Sequence, residues 1–126
     1  MKNILSIIFI VFVIFTSNVF AGEWYEGGDL HDANALIWQN ADQNNKIATC
    51  SDFLVSFLSK GLLKADIKKN IRSIDDLKPY AVELVNQLDL AFERDPNPAK
   101  NKIMFANQEI SSSAVMLMMM MGWVEQ

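Results

Sequence analysis

The sequence is poor in the residues that most often carry chemistry. It contains one histidine, His31, and one cysteine, Cys50. A single cysteine excludes an intrachain disulfide, and a single histidine excludes a multi-histidine metal site. A Ser-His-Asp triad would have to use His31, and no G-x-S-x-G, P-loop or C-x-x-C pattern occurs. We therefore assign no catalytic residue and predict no cofactor.

The first 21 residues have the pattern of a secretory signal peptide. Lys2 precedes an apolar run at residues 4–15, and Val19 and Ala21 stand at positions −3 and −1 before Gly22. The run is about a dozen residues, shorter than the roughly 20 that a spanning helix needs. We predict cleavage after Ala21, export to the periplasm or medium, and a single helical domain over residues 22–126. An uncleaved anchor is the alternative.

The predicted mature chain is acidic. Loss of residues 1–21 removes Lys2 and no acidic residue, which leaves ten basic and fifteen acidic residues, a formal charge of −5. This balance disfavours nucleic acid and anionic lipid, which bind clustered cations. The largest basic cluster consists of Lys64, Lys68, Lys69 and Arg72, and Asp66 interrupts it. We expect a protein partner, for which a basic surface would be the natural complement, and no stable membrane insertion. A homodimer also remains open.

Helical periodicity dominates the mature sequence. Asp29 is the predicted cap of a first helix whose apolar face holds Leu30, Ala33, Ile37 and Ala41. A second helix follows the polar residues 42–45 and ends near Gly61. Cys50 lies on its apolar stripe, which predicts a buried, inert thiol, whereas an intermolecular disulfide is the alternative.

Two further long helices are predicted after a short one within residues 62–72 that turns Leu63 and Ile67 inward. The third long element is capped by Asp76, with Pro79 in its first turn. Its stripe holds Leu77, Ala81, Leu84, Val85, Leu88, Ala91 and Phe92. The last helix aligns Ile103, Ala106, Ile110, Ala114, Leu117 and Met121 on one line. Its predicted start lies anywhere from Pro98 to Glu109. The sequence thus predicts an all-α fold, a compact bundle of four or five short helices.

Five of the seven methionines occupy six consecutive positions, residues 116–121. A helix end that is apolar on all sides is normally surrounded by other helices or by a partner. Methionine is an ordinary filler of irregular cores, so we favour burial in the core over a protein interface. As a third alternative, Met116, Met119 and Met120 have the i, i+3, i+4 spacing that could present thioethers to Cu(I).

The N-terminal part of the mature chain combines acidic and aromatic residues. We predict binding through a set that comprises Trp24, Tyr25, Asp29, His31, Asp32 and Trp38. As an alternative, the carboxylates of Glu23, Glu26, Asp29 and Asp32 around His31 suggest a small hydrolase of cell-wall or glycan substrates.

Three segments of the sequence resemble those of known exported proteins. The G-G-x-L-H, N-K-x-A-T-x-x-D-F and L-K-P-Y-A-x-E-L-V segments resemble a family of small exported bacterial proteins of unknown function. The segment from Thr49 to Leu54 is similar to a T-C-x-D-F-L-like helix of periplasmic acid-stress chaperones and type VI secretion immunity proteins. The second cysteine typical of those proteins has no counterpart here. The resemblance implies a helical periplasmic domain.

Together these patterns predict a non-enzymatic, exported, protein-binding domain. An inhibitor, an immunity protein or a chaperone-like protein of the cell envelope would each have this composition. The alternatives are the carboxylate-dependent hydrolase and a methionine-based copper-binding protein.

Overall fold

The computed structural model describes residues 22–126, so the predicted signal peptide lies outside the described residues. Within these residues, six α-helices and one 3₁₀ turn follow each other. They are α1 (Ala35–Asn40), α2 (Gln43–Ser59), α3 (Ala65–Lys68), the 3₁₀ turn (Ile74–Leu77), α4 (Lys78–Ala91), α5 (Pro98–Phe105) and α6 (Ile110–Met120). The described part contains two isolated β-bridges and no strand. The prediction of an all-α bundle is confirmed.

The core is centred on α4, which packs against both α2 and α6. The predicted α4 stripe is buried except for Ala91, which is exposed. Cys50 and Leu54 are fully buried on the facing stripe of α2. Gly61 follows α2 with a φ of 69°, which confirms the predicted left-handed residue after this helix. Helix α3 turns Ile67 inward and Leu63 is fully buried, as predicted.

The prediction that Asp29 caps the first helix is wrong. Helix α1 begins six residues later, and its cap is Asn34, whose side chain accepts a hydrogen bond from the Ile37 amide. Asp29 is engaged elsewhere, because its amide donates to Asn45 Oδ1 at 3.0 Å and its carboxylate accepts from Asn45 Nδ2 at 2.6 Å. Residues 22–33 therefore run across α2, and Leu30 and Ala33 are buried without being helical.

Asp76 is not the cap of α4 but part of a capping box around the 3₁₀ turn. The cap is Ser73, and the Asp76 carboxylate accepts hydrogen bonds from the Arg72 and Ser73 amides at 2.8 and 3.0 Å. These backbone hydrogen bonds lower the pKa of Asp76, since they stabilise its ionised form. Pro79 lies in the first turn of α4, as predicted.

The segment in which the last helix was predicted to start holds two helices, α5 and α6, with a break between them, and α6 follows Glu109 at the late end of the predicted range. At the break, the Ala35 amide donates to Gln108 O at 2.8 Å and the Ile110 amide donates to Ala33 O at 3.0 Å. This backbone pairing with the N-terminal segment satisfies groups that a continuous helix would have paired internally. Ile110 and Ala114 are buried as predicted, whereas Ile103 is 82% exposed.

The C-terminal residues close the opposite end of the bundle. The Lys64 amide donates to Trp123 O at 2.9 Å and the Glu125 amide donates to Leu62 O at 2.8 Å. This pairing places Val124 beside Leu63, and both are buried. Within residues 22–126, no helix has the length and apolar character needed to cross a membrane.

Candidate interaction surface

Most of the methionines are exposed, so the prediction that they fill the core is wrong for them. Met118 is fully buried, but Met116, Met119 and Met120 are 62%, 44% and 76% exposed. Helix α6 packs against α4 and α2, which cover one side of it. Beyond Ala114 its opposite side is also apolar, and no other helix of the described residues covers Met116 and Met120 there.

Helices α5 and α6 form a cleft beside this exposed side. Met104 of α5 and Met116 of α6 both line the cleft, whose volume is about 430 Å³. Phe92 and Phe105 also line it, and their rings form an edge-to-face pair with centroids 6.0 Å apart. The complete lining consists of Ala91, Phe92, Met104, Phe105, Gln108, Ser113, Met116 and Leu117. Among the described residues, none of these side chains is charged.

We refer to Ile103, Met104, Met116, Met119 and Met120 as the methionine surface. Every member is at least 44% exposed. Single exposed apolar side chains are common, but a group of them beside an uncharged cleft is typical of a binding surface. Methionine suits such a surface because its unbranched, polarizable side chain adapts to differently shaped partners. The sequence pattern drew attention to residues 116–121 but gave no reason to include Met104.

The predicted binding residues Trp24 and Tyr25 are half-buried and pack edge-to-face, with ring centroids 5.4 Å apart. The Trp24 indole donates a hydrogen bond to Asp75 Oδ1 at 2.8 Å, and Lys78 Nζ lies 5.8 Å from its ring centroid. Partial burial raises the pKa of Tyr25, and so do the nearby carboxylates of Glu23, Glu26 and Asp75. These contacts anchor the N-terminal segment to the start of α4.

His31 pairs with a carboxylate that the sequence did not suggest. Its Nε2 lies 2.7 Å from Asp52 Oδ2 on α2, and its ring packs edge-on against Phe53. Asp32 is exposed, and Asp29 is hydrogen-bonded to Asn45. The structure thus brings His31 together with Asp52 rather than with the four predicted carboxylates. Nothing in a single sequence signals this contact, because it joins residues 21 positions apart.

Trp38, another member of the predicted binding set, is buried in the core. It is 1% exposed, and its indole donates to Asp89 Oδ1 at 2.9 Å. Lys46 Nζ lies 5.2 Å from the ring centroid and 2.9 Å from the same carboxylate oxygen. Trp38 therefore anchors α1 to α2 and α4 in the core.

The groups considered for catalysis do not assemble into a metal centre. Residues 22–126 contain no group of three or more His, Cys, Asp or Glu side chains that could hold a metal ion. Cys50 is a buried free thiol, as predicted, and burial together with the Asp89 carboxylate raises its pKa. A thiol with a raised pKa is a poor nucleophile at neutral pH.

The sequence and the fold were compared with known proteins. No protein-family model matches the sequence, and no curated protein or solved structure is significantly similar to it.

Proposed function

We propose that residues 22–126 form an exported, non-enzymatic domain that binds another protein in the cell envelope. An inhibitor, an immunity protein or a chaperone-like protein would act in this way. The observation that carries the proposal is the methionine surface, with its exposed apolar side chains beside an uncharged cleft.

Burial of this surface would supply a large share of a binding free energy. Complete burial of a fully exposed methionine side chain contributes about 1.5–3 kcal/mol. The four methionines of this surface are 44–76% exposed, so each would contribute roughly half of that. The cleft between α5 and α6 has room for one large apolar side chain of a partner, because its volume is about 430 Å³. Such a pocket, filled by one anchor, is the usual centre of a protein interface.

Charge favours a basic partner. The formal charge of residues 22–126 is −5, from ten basic and fifteen acidic residues. A positively charged partner would therefore be steered toward the domain, which raises the association rate at low salt. The five side chains of the methionine surface are uncharged, so that apolar contact would provide affinity while the net charge of the domain would assist the encounter.

Export of the domain rests on the signal-peptide pattern of residues 1–21. The mass of the protein recovered from the periplasm should correspond to a chain that starts at Gly22. The full-length mass in a membrane fraction would favour the uncleaved anchor instead.

The binding proposal is tested by native mass spectrometry of the protein released gently from its own cell envelope. We expect the wild-type chain to carry a second polypeptide, and the double variant Met116→Glu with Met120→Glu to be released without it. Ile37→Glu is the matched control, because Ile37 is an apolar side chain of α1 that is 54% exposed and does not line the cleft. It should retain the partner.

Two results would contradict the proposal. One is a wild-type chain that is always released alone or as a homodimer. The other is turnover of a peptidoglycan or glycan substrate that disappears in Glu26→Gln or Asp29→Asn, which would establish the carboxylate-dependent hydrolase.

A further inference from the structure

The structure brings methionines of two different helices to one cleft. Met104 comes from α5 and Met116 from α6, and both line the cavity of about 430 Å³. They are 46% and 62% exposed, so solutes can reach both side chains. The spacing of methionines in the sequence could only group those within α6. A site formed by two packed helices holds its side chains in a defined relative position.

The direction of each α6 side chain identifies a third member. Residues in an α-helix follow each other at about 100°, so Ser113, Met116 and Leu117, which line the cleft, span an arc of about 100°. Met120 falls inside this arc, one turn beyond Met116, whereas Met119 falls about 60° outside it. Met120 is 76% exposed and does not itself line the cleft, so its flexible side chain would have to turn toward the mouth of the cleft to reach a shared ion.

The chemistry of the cleft selects a soft monovalent cation. Thioether sulfur is a soft ligand that prefers Cu(I), whereas Mg²⁺, Ca²⁺ and Mn²⁺ prefer carboxylate, carbonyl and water oxygens. Among the described residues, no charged side chain lines the cleft, so nothing there would offset a second positive charge. The Phe92 and Phe105 rings also line the cleft, and a ring face turned toward the ion would attract it.

From this arrangement we propose that Met104, Met116 and Met120 form a binding site for one Cu(I) ion at the cleft between α5 and α6. The inference does not depend on the protein-binding role, because the isolated domain would bind the ion. It concerns binding only, and the ion enters as Cu(I) and stays Cu(I).

The site is tested on the purified protein under anaerobic conditions. Tetrakis(acetonitrile)copper(I) is titrated in competition with a chromophoric Cu(I) chelator, and Ag(I) serves as a redox-stable probe in native mass spectrometry. We expect one ion per chain for wild type. Met104→Leu and Met116→Leu should each weaken binding by about tenfold or more, since even the loss of a group that only supports a metal ligand costs about 10- to 100-fold in affinity. Met120→Leu should also weaken it.

Two control variants make the result specific. Met119→Leu removes an exposed methionine of the same helix that lies outside the cleft arc, and it should leave the affinity unchanged within about twofold. Cys50→Ala removes the one thiol, which is buried in α2, and it should also retain binding. Leucine and methionine are similar in volume, so far-ultraviolet circular dichroism should show an intact helical fold in every leucine variant.

Several outcomes would overturn the proposal. The first is the absence of a one-to-one complex with either ion. The second is a loss of binding in Met119→Leu as large as that in Met116→Leu, which would place the ion on the surface of α6 and not at the cleft. The third is a loss of binding in Cys50→Ala.

Discussion

Gly28 is the position where the fold tolerates a side chain least. A Cβ atom at this position would lie 2.5 Å from the Thr49 amide nitrogen and 2.8 Å from both Thr49 Cα and the Ala48 carbonyl carbon. Ordinary contacts of a Cβ atom are 3.4–4 Å, so the clash is close to 1 Å deep. All three atoms belong to the backbone of α2, which cannot rotate away as a side chain can. Gly28→Ala must therefore push the N-terminal segment off α2.

The loss of stability in Gly28→Ala follows from the hydrogen bonds that this displacement would break. The Asp29 amide donates to Asn45 Oδ1 at 3.0 Å, and the Leu30 amide donates to Thr49 Oγ1 at 3.2 Å. Each hydrogen bond contributes about 1 kcal/mol net, and forced overpacking typically costs about 1–3 kcal/mol. We expect Gly28→Ala to lower the free energy of unfolding by about 3 kcal/mol. For a domain of about 100 residues this corresponds to a fall in Tm of about 12–24 °C.

The assay is thermal unfolding followed by circular dichroism, with Gly27→Ala as the comparison. Gly27 has a φ of 83°, but a Cβ atom on this residue would have no neighbour within 4 Å, so alanine there adds backbone strain without a clash. That strain costs about 1 kcal/mol, or roughly 5 °C in Tm. If Gly28→Ala melts within about 3 °C of wild type, or loses less stability than Gly27→Ala, the close approach of this segment to α2 is refuted.

Two further predictions concern the buried core. Trp38→Phe should lower the free energy of unfolding by about 2–3 kcal/mol in urea titrations, because a partly buried hydrogen bond to the Asp89 carboxylate is lost from a buried ring. Trp24→Phe loses an exposed hydrogen bond to Asp75 and should cost less than about 1 kcal/mol, so equal losses in the two variants would contradict this assignment. Burial raises the pKa of Cys50, so the thiol ionises first in the unfolded chain, from about pH 8.5 upward. Its contribution to stability is complete below that pH and is lost as the pH rises, by up to about 1.4 kcal/mol per pH unit. Cys50→Ala should show a correspondingly weaker decline in urea titrations between pH 8 and pH 10, and an unchanged decline would refute the burial effect.

The periodicity of apolar residues was sufficient to predict the helices whose apolar faces pack entirely within the core. Helices α2 and α4 carry regular apolar stripes, and those stripes pack against each other. Cys50 and Leu88 are buried because the same face of each helix stays covered over several turns. The left-handed Gly61 is also a local property of the chain. These features require no knowledge of what lies far away in sequence.

Periodicity left the bounds of an element open, or placed them wrongly, where distant backbone groups pair. Helix α6 starts at Ile110 because the Ile110 amide bonds to Ala33 O, a contact across 77 positions that no local pattern encodes. Helix α1 likewise begins only at Ala35, next to this pairing. Ile103, which precedes the break, is exposed. An apolar stripe continued through residues 103–121 in the sequence, but the backbone pairing ended one helix and began another within it.

The candidate site was only partly visible in the sequence for a related reason. Residues 116–121 are apolar on every side of the helix, and such a pattern requires cover without indicating whether the chain itself provides it. The fold covers Met118 and leaves Met116 and Met120 exposed. Met104 joins them only because the break before α6 lets α5 lie beside it. The tertiary structure thus leaves part of residues 116–121, which were expected to lie in the core, on the surface.

The same side chains serve both proposals, and this makes the two functions thermodynamically coupled. A Cu(I) ion held by Met104, Met116 and Met120 would occupy the mouth of the cleft that a partner's apolar side chain would enter. If the ion lowers the affinity for the partner by some factor, the partner must lower the affinity for the ion by the same factor. Measurement of Cu(I) affinity with and without the captured polypeptide would therefore show whether both ligands use the cleft. Equal Cu(I) affinities in the two measurements would mean that the partner binds a different part of the domain.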